Sequence, residues 1–410
     1  MVRVQQAVTP STDQLKCGVC FRVIRHKIQS MAELRIGIVG GGQLARMLTD
    51  ACTKAGLSCW VLDPDHQCPA VLAGANHVEG DSWDLAAAQK LAAVVDVITV
   101  EIENVDVDNL AVLESEGVRM IPGTETLAKL VNKRTQKEEL QAAGLPTSAF
   151  AARAAGEQID IAPWGLPLVW KASRGGYDGR GVIVIDDSND LPLRPDVEGY
   201  IEAFVDSRLE IAVMVAVSEV GETSTWNSVE MVFSAKTNML QQLIAPARVS
   251  LEVNQRAREL AIEAVGLVGG AGIFGVEMFL TDDDGLLINE IAPRTHNSGH
   301  FSMNAAETSQ FEQQVRILSC QSLLSTHQTA PAVMINILGE PGYQGATVIE
   351  NLEGVEKLPG THVHLYGKQE CFASRKMGHA TITAETIDQA IERAEEVQSR
   401  LVVRGAEPSG

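Results

Sequence analysis

From residue 34 onward, short apolar runs alternate with amphipathic stretches of helical period. Residues 34–39 form an apolar run ending in Gly40-Gly41-Gly42, and apolar positions then recur at helical spacing through 43–55. Runs at 58–62, 96–100 and 118–121 read as further strands, with helices at 84–93 and 107–116 among them. Strands and helices alternating at this spacing predict an α/β unit with a parallel, doubly wound sheet. A helix at 133–143 leads to Gly144-Leu145-Pro146, and the Ala-, Gly- and Pro-rich stretch 149–167 predicts a boundary. Beyond it the runs become β-branched and the turns glycine-rich, predicting short strands at 168–173, 181–185, 199–204 and 210–217. A helix at 255–265, paired strands at 275–280 and 286–291, and a helix at 309–318 follow. Ile387, Ala390, Ile391, Ala394, Val397 and Leu401 recur at helical spacing, predicting a packing helix near the end of the sequence.

The length, 410 residues, exceeds one ordinary domain, so two or three are expected. A formal net charge of -20 argues against a non-specific grip on nucleic acid or an acidic membrane surface, leaving any anionic substrate dependent on local cations. The seven cysteines (17, 20, 52, 59, 68, 320 and 371) suggest no disulfide framework, and no apolar run reaches membrane-spanning length. A reducing, cytoplasmic setting follows as the expectation. Residues 1–30 hold one acid, Asp13, beside Arg3, Lys16, Arg22, Arg25 and Lys27, a composition shared with organelle transit peptides. Met31 precedes the first strand, and an unstructured extension is the reading favoured.

Gly40-Gly41-Gly42-Gln43-Leu44-Ala45 fits a G-x-G-x-x-A turn, with Asp63 about twenty residues on, as in dinucleotide sites. A tight strand–helix turn explains the same residues, and the cluster points to an anion near the turn more than to a dinucleotide. Stronger signals lie further on. Lys171 ends an apolar strand, and Arg174-Gly175-Gly176-Tyr177-Asp178-Gly179-Arg180-Gly181 follows. So many glycines between two strands make a loop able to fold over phosphates with its amides, within reach of the Lys171 ammonium. Thr281–Gly285 reads as a hairpin turn that sets Glu277 opposite residue 289 or 290, so Glu277 and Glu290 can share Mg²⁺. Without a cation the two acids would repel, and their neighbours Val276, Phe279, Ile288 and Ile291 are too apolar for a solvated face. Strict alternation points Asn289 away from Glu290 unless a bulge intervenes. Arg294, His296, Asn297, Ser298 and His300 follow at once, a cation and polar groups suited to a transferring phosphoryl or carboxyl group. Arg375-Lys376-Met377-Gly378-His379 offers a further phosphate grip.

At these residues the sequence resembles the ATP-grasp ligases of purine biosynthesis, most specifically the 5-(carboxyamino)imidazole ribonucleotide synthase family. GGGQLARM, TVEIENVD, TQK, GGYDGRG, LLINEIAPRTHNSGH and RKMGH occur in the family's order, from about Leu34 to the last predicted helix. The resemblance implies a three-domain ATP-grasp fold with an N-terminal Rossmann-like parallel sheet. The expected divisions are an extension at 1–30, a Rossmann-like domain at 31–130, a lid at 131–215 and a catalytic domain at 216–410. It implies that ATP phosphorylates bicarbonate to carboxyphosphate, and that the exocyclic amine of aminoimidazole ribonucleotide then captures its carboxyl carbon or released CO₂.

By the same resemblance, Lys133, Lys171, Gly175, Gly176, Tyr177, Asp178, Gly179, Arg180, Gly181, Glu202, Ala203, Phe204, Val205, Glu210, Asn289 and Glu290 would hold ATP. Glu277 and Glu290 would bind Mg²⁺, with Mn²⁺ as a substitute, and Arg294, His296, Asp178 and Arg180 would be catalytic. Gly42, Gln43, Leu44, Glu101, Glu103, Tyr177, Arg180, His296, Asn297, Ser298, Arg375 and Lys376 would surround the ribonucleotide, whose phosphate the first glycine turn would serve. The partners implied are small molecules only, and the assembly a homodimer. The sequence departs from the family at Lys133, where some relatives have Arg, and at 237–240, which is shorter and lacks a histidine. A fused carboxylase domain, present in some relatives, is not expected. Competing readings are a formate-using ATP-grasp transformylase, an NAD-binding oxidoreductase, and an ATP-binding regulator without turnover.

Overall fold

Four parallel strands open the computed structural model, which describes residues 34–175, 181–187, 189, 196–233 and 240–409. They are β1 (Arg35–Val39), β2 (Ser58–Asp63), β3 (Asn76–Glu79) and β4 (Val97–Val100), in spatial order β3-β2-β1-β4. Successive side chains point to opposite faces, so the burial of Ile36 to Val39 and of all β4 means that both faces are covered. The connecting helices are α1 (Gln43–Lys54), α2 (Leu85–Ala92) and α3 (Val107–Ser115). Sequence pattern misses β3, an edge strand whose only apolar residue is Val78. The strand expected at 118–121 reduces to one bridge, Met120 to Ile98, because Pro122 has no N–H with which to continue the ladder.

Helices α4 (Thr124–Val131) and α5 (Lys133–Ala142) then lead into a small antiparallel sheet. It comprises β5 (Phe150–Arg153), β6 (Leu168–Ala172), β7 (Val182–Ile185) and β8 (Gly199–Ala203), in order β5-β8-β6-β7. The stretch expected as a plain boundary, 149–167, therefore supplies an edge strand; two alanines and an arginine gave it no apolar signature.

The larger sheet runs β14-β13-β9-β11-β12-β15-β19-β17, with β10 on the side of β9. Its strands are β9 (Leu209–Val217), β10 (Thr223–Thr225), β11 (Val229–Phe233), β12 (Leu240–Ala245), β13 (Gly272–Leu280), β14 (Leu286–Ala292), β15 (Ala332–Leu338), β17 (Thr361–Leu365) and β19 (Lys376–Thr383). Since β9 is hydrogen-bonded within this sheet, sheet membership puts the break from the small sheet at 204–208, ahead of the expected residue 215. β16 (Tyr343–Glu350), β18 (Glu370–Phe372) and β20 (Val402–Pro408) form a third antiparallel sheet, order β18-β16-β20.

Both faces of the β9/β13 region are packed. Ala257, Ala261, Ala264 and Val265 of α6 (Leu251–Val268) meet Val213, Val215, Phe274 and Val276 on one side. On the other, Met214, Ala216 and Ile273 join Phe311 and Val315 of α7 (Gln310–Leu318) and Leu44, Met47 and Leu48 of α1 in one apolar cluster. That cluster ties the parallel unit to the large sheet and fixes the glycine turn before α1 against it. The amphipathic helix expected near the end is α8 (Ile387–Arg400), with Ala390, Ala394 and Val397 buried. Among the described residues, no helix is long and apolar enough to cross a membrane.

Candidate active site

The β13–β14 hairpin is the centre of the site. Its turn closes with Thr281 N–H donating to the Gly285 carbonyl at 3.0 Å, while Asp284 takes φ 62, a region that Asp tolerates better than most residues. This turn places Glu277 directly opposite Glu290. The next pair is Met278 with Ile288, so Asn289 is the extra residue of a β-bulge. The bulge overrides strict alternation: Asn289 Oδ1 accepts from Lys171 Nζ at 2.8 Å, and Glu290 is ion-paired with Lys133. Gln136 of α5 clamps the strand beside it. Its amide donates to the Ile291 carbonyl at 2.9 Å and accepts from the Ile291 N–H at 2.7 Å.

Two facing, half-buried carboxylates cannot both ionise cheaply. Burial, then Glu290 and Glu210, push Glu277 up to about 8 against the pull of Lys133 and Lys171. Burial also raises Glu290, but Lys133 first, then Lys171 and Arg294, outweigh it and leave Glu290 below its ordinary value. The hairpin thus offers one ready carboxylate and one that a cation would ionise. Among the described residues no three His, Cys, Asp or Glu side chains converge, so protein ligands alone do not make a closed cage. Two carboxylates with an amide oxygen beside them fit Mg²⁺ or Mn²⁺, which keep positions open for phosphate oxygens.

This asymmetry has a measurable consequence. Divalent-cation binding in the presence of ADP is expected to release close to one proton at pH 7 and to strengthen as pH rises towards about 8. A carboxyl whose folded pKa is raised adds stability below about 4.5 that is lost as pH climbs through about 8, so the cation-free protein weakens over that interval. Calorimetry in buffers of different ionisation enthalpy measures the proton count, and zero release would mean that Glu277 is not a ligand.

Behind the hairpin lies a buried ion cluster. Lys171 Nζ is 2.7 Å from one oxygen of Glu202, and Lys137 Nζ is 2.8 Å from the other. Burial alone would raise Glu202, but Lys171 and Lys137 hold it down at about 2. Where family resemblance gives the Glu202 backbone a role towards adenine, the structure adds a side chain that anchors Lys171. Ala203 and Val205 are half-buried and Phe204 is exposed, at the start of the segment joining the two sheets. Glu210, raised by burial and drawn down by Lys171, pairs with Phe279 across the β9–β13 ladder. Gly175 and Gly181 flank the glycine-rich loop, both at positive φ. Gly176, Tyr177, Asp178, Gly179 and Arg180 lie outside the described residues.

The segment after β14 forms the adjoining wall. Arg294 Nη2 is 2.8 Å from Glu103, its Nη1 donates to the Thr295 carbonyl at 3.0 Å, and its Nε is buried without a protein partner. His296 Nε2 is 3.5 Å from Glu277, and its Nδ1 is 2.6 Å from Ser298 Oγ. Burial, then Arg294, Lys376 and Lys133, keep His296 well below 6.5 and therefore neutral at physiological pH. Gln310 fixes the His296 backbone, accepting from its N–H and donating to its carbonyl, each at 2.8 Å. Ser298 is fully buried against His296 and Met214, so its expected contact with substrate becomes support for the imidazole. Asn297 donates to Asn336 at 3.3 Å and keeps a buried, unpartnered Oδ1.

The glycine turn differs from expectation. Gly41 N–H donates to Asp63 at 2.8 Å and Leu44 N–H to Glu101 at 3.2 Å. A Cβ on Gly42 would sit 2.4 Å from Glu101 Oε1. Carboxylates therefore already fill the amide positions that would serve a phosphate, and an added anion would be repelled; the same occupancy removes the dinucleotide reading. The Gln43 side chain accepts at Oε1 from Lys368 at 3.2 Å. Lys376 lies close enough to depress His296 and His300, whereas Arg375 is engaged locally, donating to the Glu370 carbonyl at 2.7 Å and resting on Phe372. Lys137, Gln136, Gln310 and Lys368 had no role assigned from sequence. TQK marked the first two, but one lysine or glutamine inside a helical pattern reads as solvated surface.

Family models match the chain in three consecutive blocks. They are a ribonucleotide synthetase preATP-grasp domain at 33–130, an ATP-grasp domain at 138–311, and a phosphoribosylaminoimidazole carboxylase C-terminal domain at 332–393. The N5-carboxyaminoimidazole ribonucleotide synthase of Synechococcus elongatus is 37% identical over 373 residues, 89% of this chain and 93% of that protein. The chain belongs to the N5-carboxyaminoimidazole ribonucleotide synthase family. The phosphoribosylaminoimidazole carboxylase of Schizosaccharomyces pombe is also 37% identical, and this chain spans only 65% of its length. The crystal structure of the Thermotoga maritima synthetase superimposes with a TM-score of 0.84 at 38% identity, covering 91% of this chain and 99% of that one. The Aspergillus clavatus synthase in complex with ADP and 5-aminoimidazole ribonucleotide superimposes with a TM-score of 0.81 at 30% identity, covering 90% and 99%. In a fold of this synthase family a lysine pair, a carboxylate pair and a half-buried arginine converge on one hairpin.

Proposed function

We propose that this site carries out the synthase family's reaction, the ATP-dependent conversion of aminoimidazole ribonucleotide to N5-carboxyaminoimidazole ribonucleotide in purine biosynthesis, with bicarbonate as carbon donor. The observation that carries the reading is the Glu277–Glu290 pair, flanked by Lys133 and Lys171 and followed at once by the half-buried Arg294, whose Nε is enclosed. Lys171 and Lys133 bind the phosphates, and the family resemblance assigns the 175–181 residues to the same group. Mg²⁺ held by Glu277 and Glu290, with Asn289 adjacent, would neutralise charge on the phosphates during transfer.

A bicarbonate oxygen attacks the γ-phosphorus, ADP leaves, and carboxyphosphate forms. The exocyclic amine then attacks the carboxyl carbon, inorganic phosphate departs, and the nitrogen gives up a proton. Arg294 faces the carboxyphosphate with a buried Nε that no protein group satisfies, an arrangement that needs an external acceptor. Asn297 Oδ1, likewise unsatisfied, accepts from the substrate amine. Neutral His296 hydrogen-bonds the transferring group without competing for the cation. Gln43, Glu101, Glu103 and Lys376 border the ribonucleotide, and the family resemblance assigns Tyr177, Asp178 and Arg180 to it as well. The protein works as a homodimer in the cytoplasm on this reading, in keeping with free thiols at Cys52, Cys59, Cys68, Cys320 and Cys371.

The test is a steady-state assay of ADP release with each one-carbon donor. Release is expected to require both bicarbonate and aminoimidazole ribonucleotide, with isotope from labelled bicarbonate recovered in the product. Turnover with formate would move the chain to the transformylase reading, and ADP release indifferent to the ribonucleotide would remove the proposed acceptor.

A further inference from the structure

We infer that Lys137 is a positioning residue of the ATP site, setting the Lys171 ammonium through the shared Glu202 carboxylate and locking the small sheet to the metal hairpin. This rests on the reading of Lys171 as a phosphate contact. Lys137 lies in α5, almost wholly buried, and touches no surface from which it could meet solvent or substrate directly. Its ammonium donates to Thr147 Oγ1 and to Ser148 Oγ, each at 2.6 Å, and is ion-paired with Glu202 Oε2 at 2.8 Å, the charge contact being that oxygen's one protein partner in place of a well-aligned hydrogen bond. Each acceptor leads elsewhere. Thr147 Oγ1 donates onward to the Ile288 carbonyl at 2.8 Å, on the strand that carries Asn289 and Glu290. Glu202 sits on β8 of the small sheet, and its other oxygen holds Lys171 at 2.7 Å. Lys171 in turn donates to Asn289 at 2.8 Å, closing a circuit through both sheets.

A buried carboxylate with a single cationic partner would turn fully onto that partner. Lys137 prevents this by occupying the second oxygen, which leaves Lys171 shared between Glu202 and Asn289 and aimed at the hairpin. Burial lowers the affinity of Lys137 for its proton, and Glu202 offsets that loss only in part. The residue acts on ATP at a distance and makes no contact with the ribonucleotide side of the site.

A double-mutant cycle on the full chain tests this, with ADP binding by calorimetry and kcat and KM for both substrates. Lys137→Met is expected to weaken ADP binding and raise KM for ATP by about tenfold, leaving KM for aminoimidazole ribonucleotide within about twofold. Lys171→Met is expected to weaken ADP binding by at least as much, and Lys137→Met added to it should change nothing further. A general packing defect would instead shift both KM values together and add fully in the double variant, which would overturn the inference. Should Lys137→Met fail to fold, Lys137→Met/Glu202→Gln removes both charges, and is expected to lose ADP affinity in the same nucleotide-selective way; wild-type affinity in that variant would equally overturn it. Failure of the wild-type chain itself to bind ADP would count against the ATP site, not against Lys137 alone.

Discussion

Glu290→Gln is expected to lower turnover by about 10³-fold or more while leaving the protein folded. Two effects combine. The amide removes the carboxylate that stays ionised in the cation-free site, so no negatively charged ligand remains until Glu277 gives up its proton. It also loosens the hold on Lys133, exchanging an ion pair for a neutral hydrogen bond, so the ammonium is placed less firmly for the phosphates. Stability should move little, because one of two facing acids is neutralised while Gln keeps a hydrogen-bond acceptor for Lys133. The assay is ADP release at saturating Mg²⁺, alongside thermal unfolding. Activity within about tenfold of the parent would take Glu290 out of the metal site.

Arg294→Lys is expected to reduce kcat by about 10²- to 10³-fold with ADP affinity nearly unchanged. Arg294 spends Nη2 on Glu103 and Nη1 on the Thr295 carbonyl, so the planar guanidinium is fixed and Nε points where no protein acceptor lies. A lysine retains the charge that Glu103 and Glu101 require, which spares the fold, but it cannot keep those contacts and present a third donor in the same plane. The loss should therefore appear in the chemical step. Equal losses in ADP binding and kcat would place Arg294 on the nucleotide.

Much of this was legible in the sequence for identifiable reasons. The hairpin was readable because TDDDG separates two apolar runs, and counting back from that turn sets Glu277 against residue 289 or 290; the bulge at Asn289 decides for Glu290. The strand–helix alternation of the first sheet was readable for the same reason: interior strands such as Val97–Val100 are continuous apolar runs. What stayed hidden is what pattern cannot carry. Asn76–Glu79 and Phe150–Arg153 are edge strands with little to bury, so hydrophobic period has nothing to report. Lys137 and Gln136 reach the site through long-range contacts to residues 65 to 155 positions away or, for Thr147 and Ser148, around a turn, and helical spacing records none of that. The glycine turn is the instructive reversal. Gly40-Gly41-Gly42 has the composition of an anion cradle, yet Asp63 and Glu101 occupy its amides, a fact about two other strands' ends.

The binding of a metal across the hairpin is tested most directly by soaking crystals with Mn²⁺ and ADP and collecting anomalous diffraction at the manganese edge. The account predicts a peak bridging Glu277 and Glu290, about 2.0–2.2 Å from an oxygen of each and shared with a diphosphate oxygen. A nucleotide bound with no peak between those carboxylates, and Lys133 still paired to Glu290 as in the free protein, would contradict it.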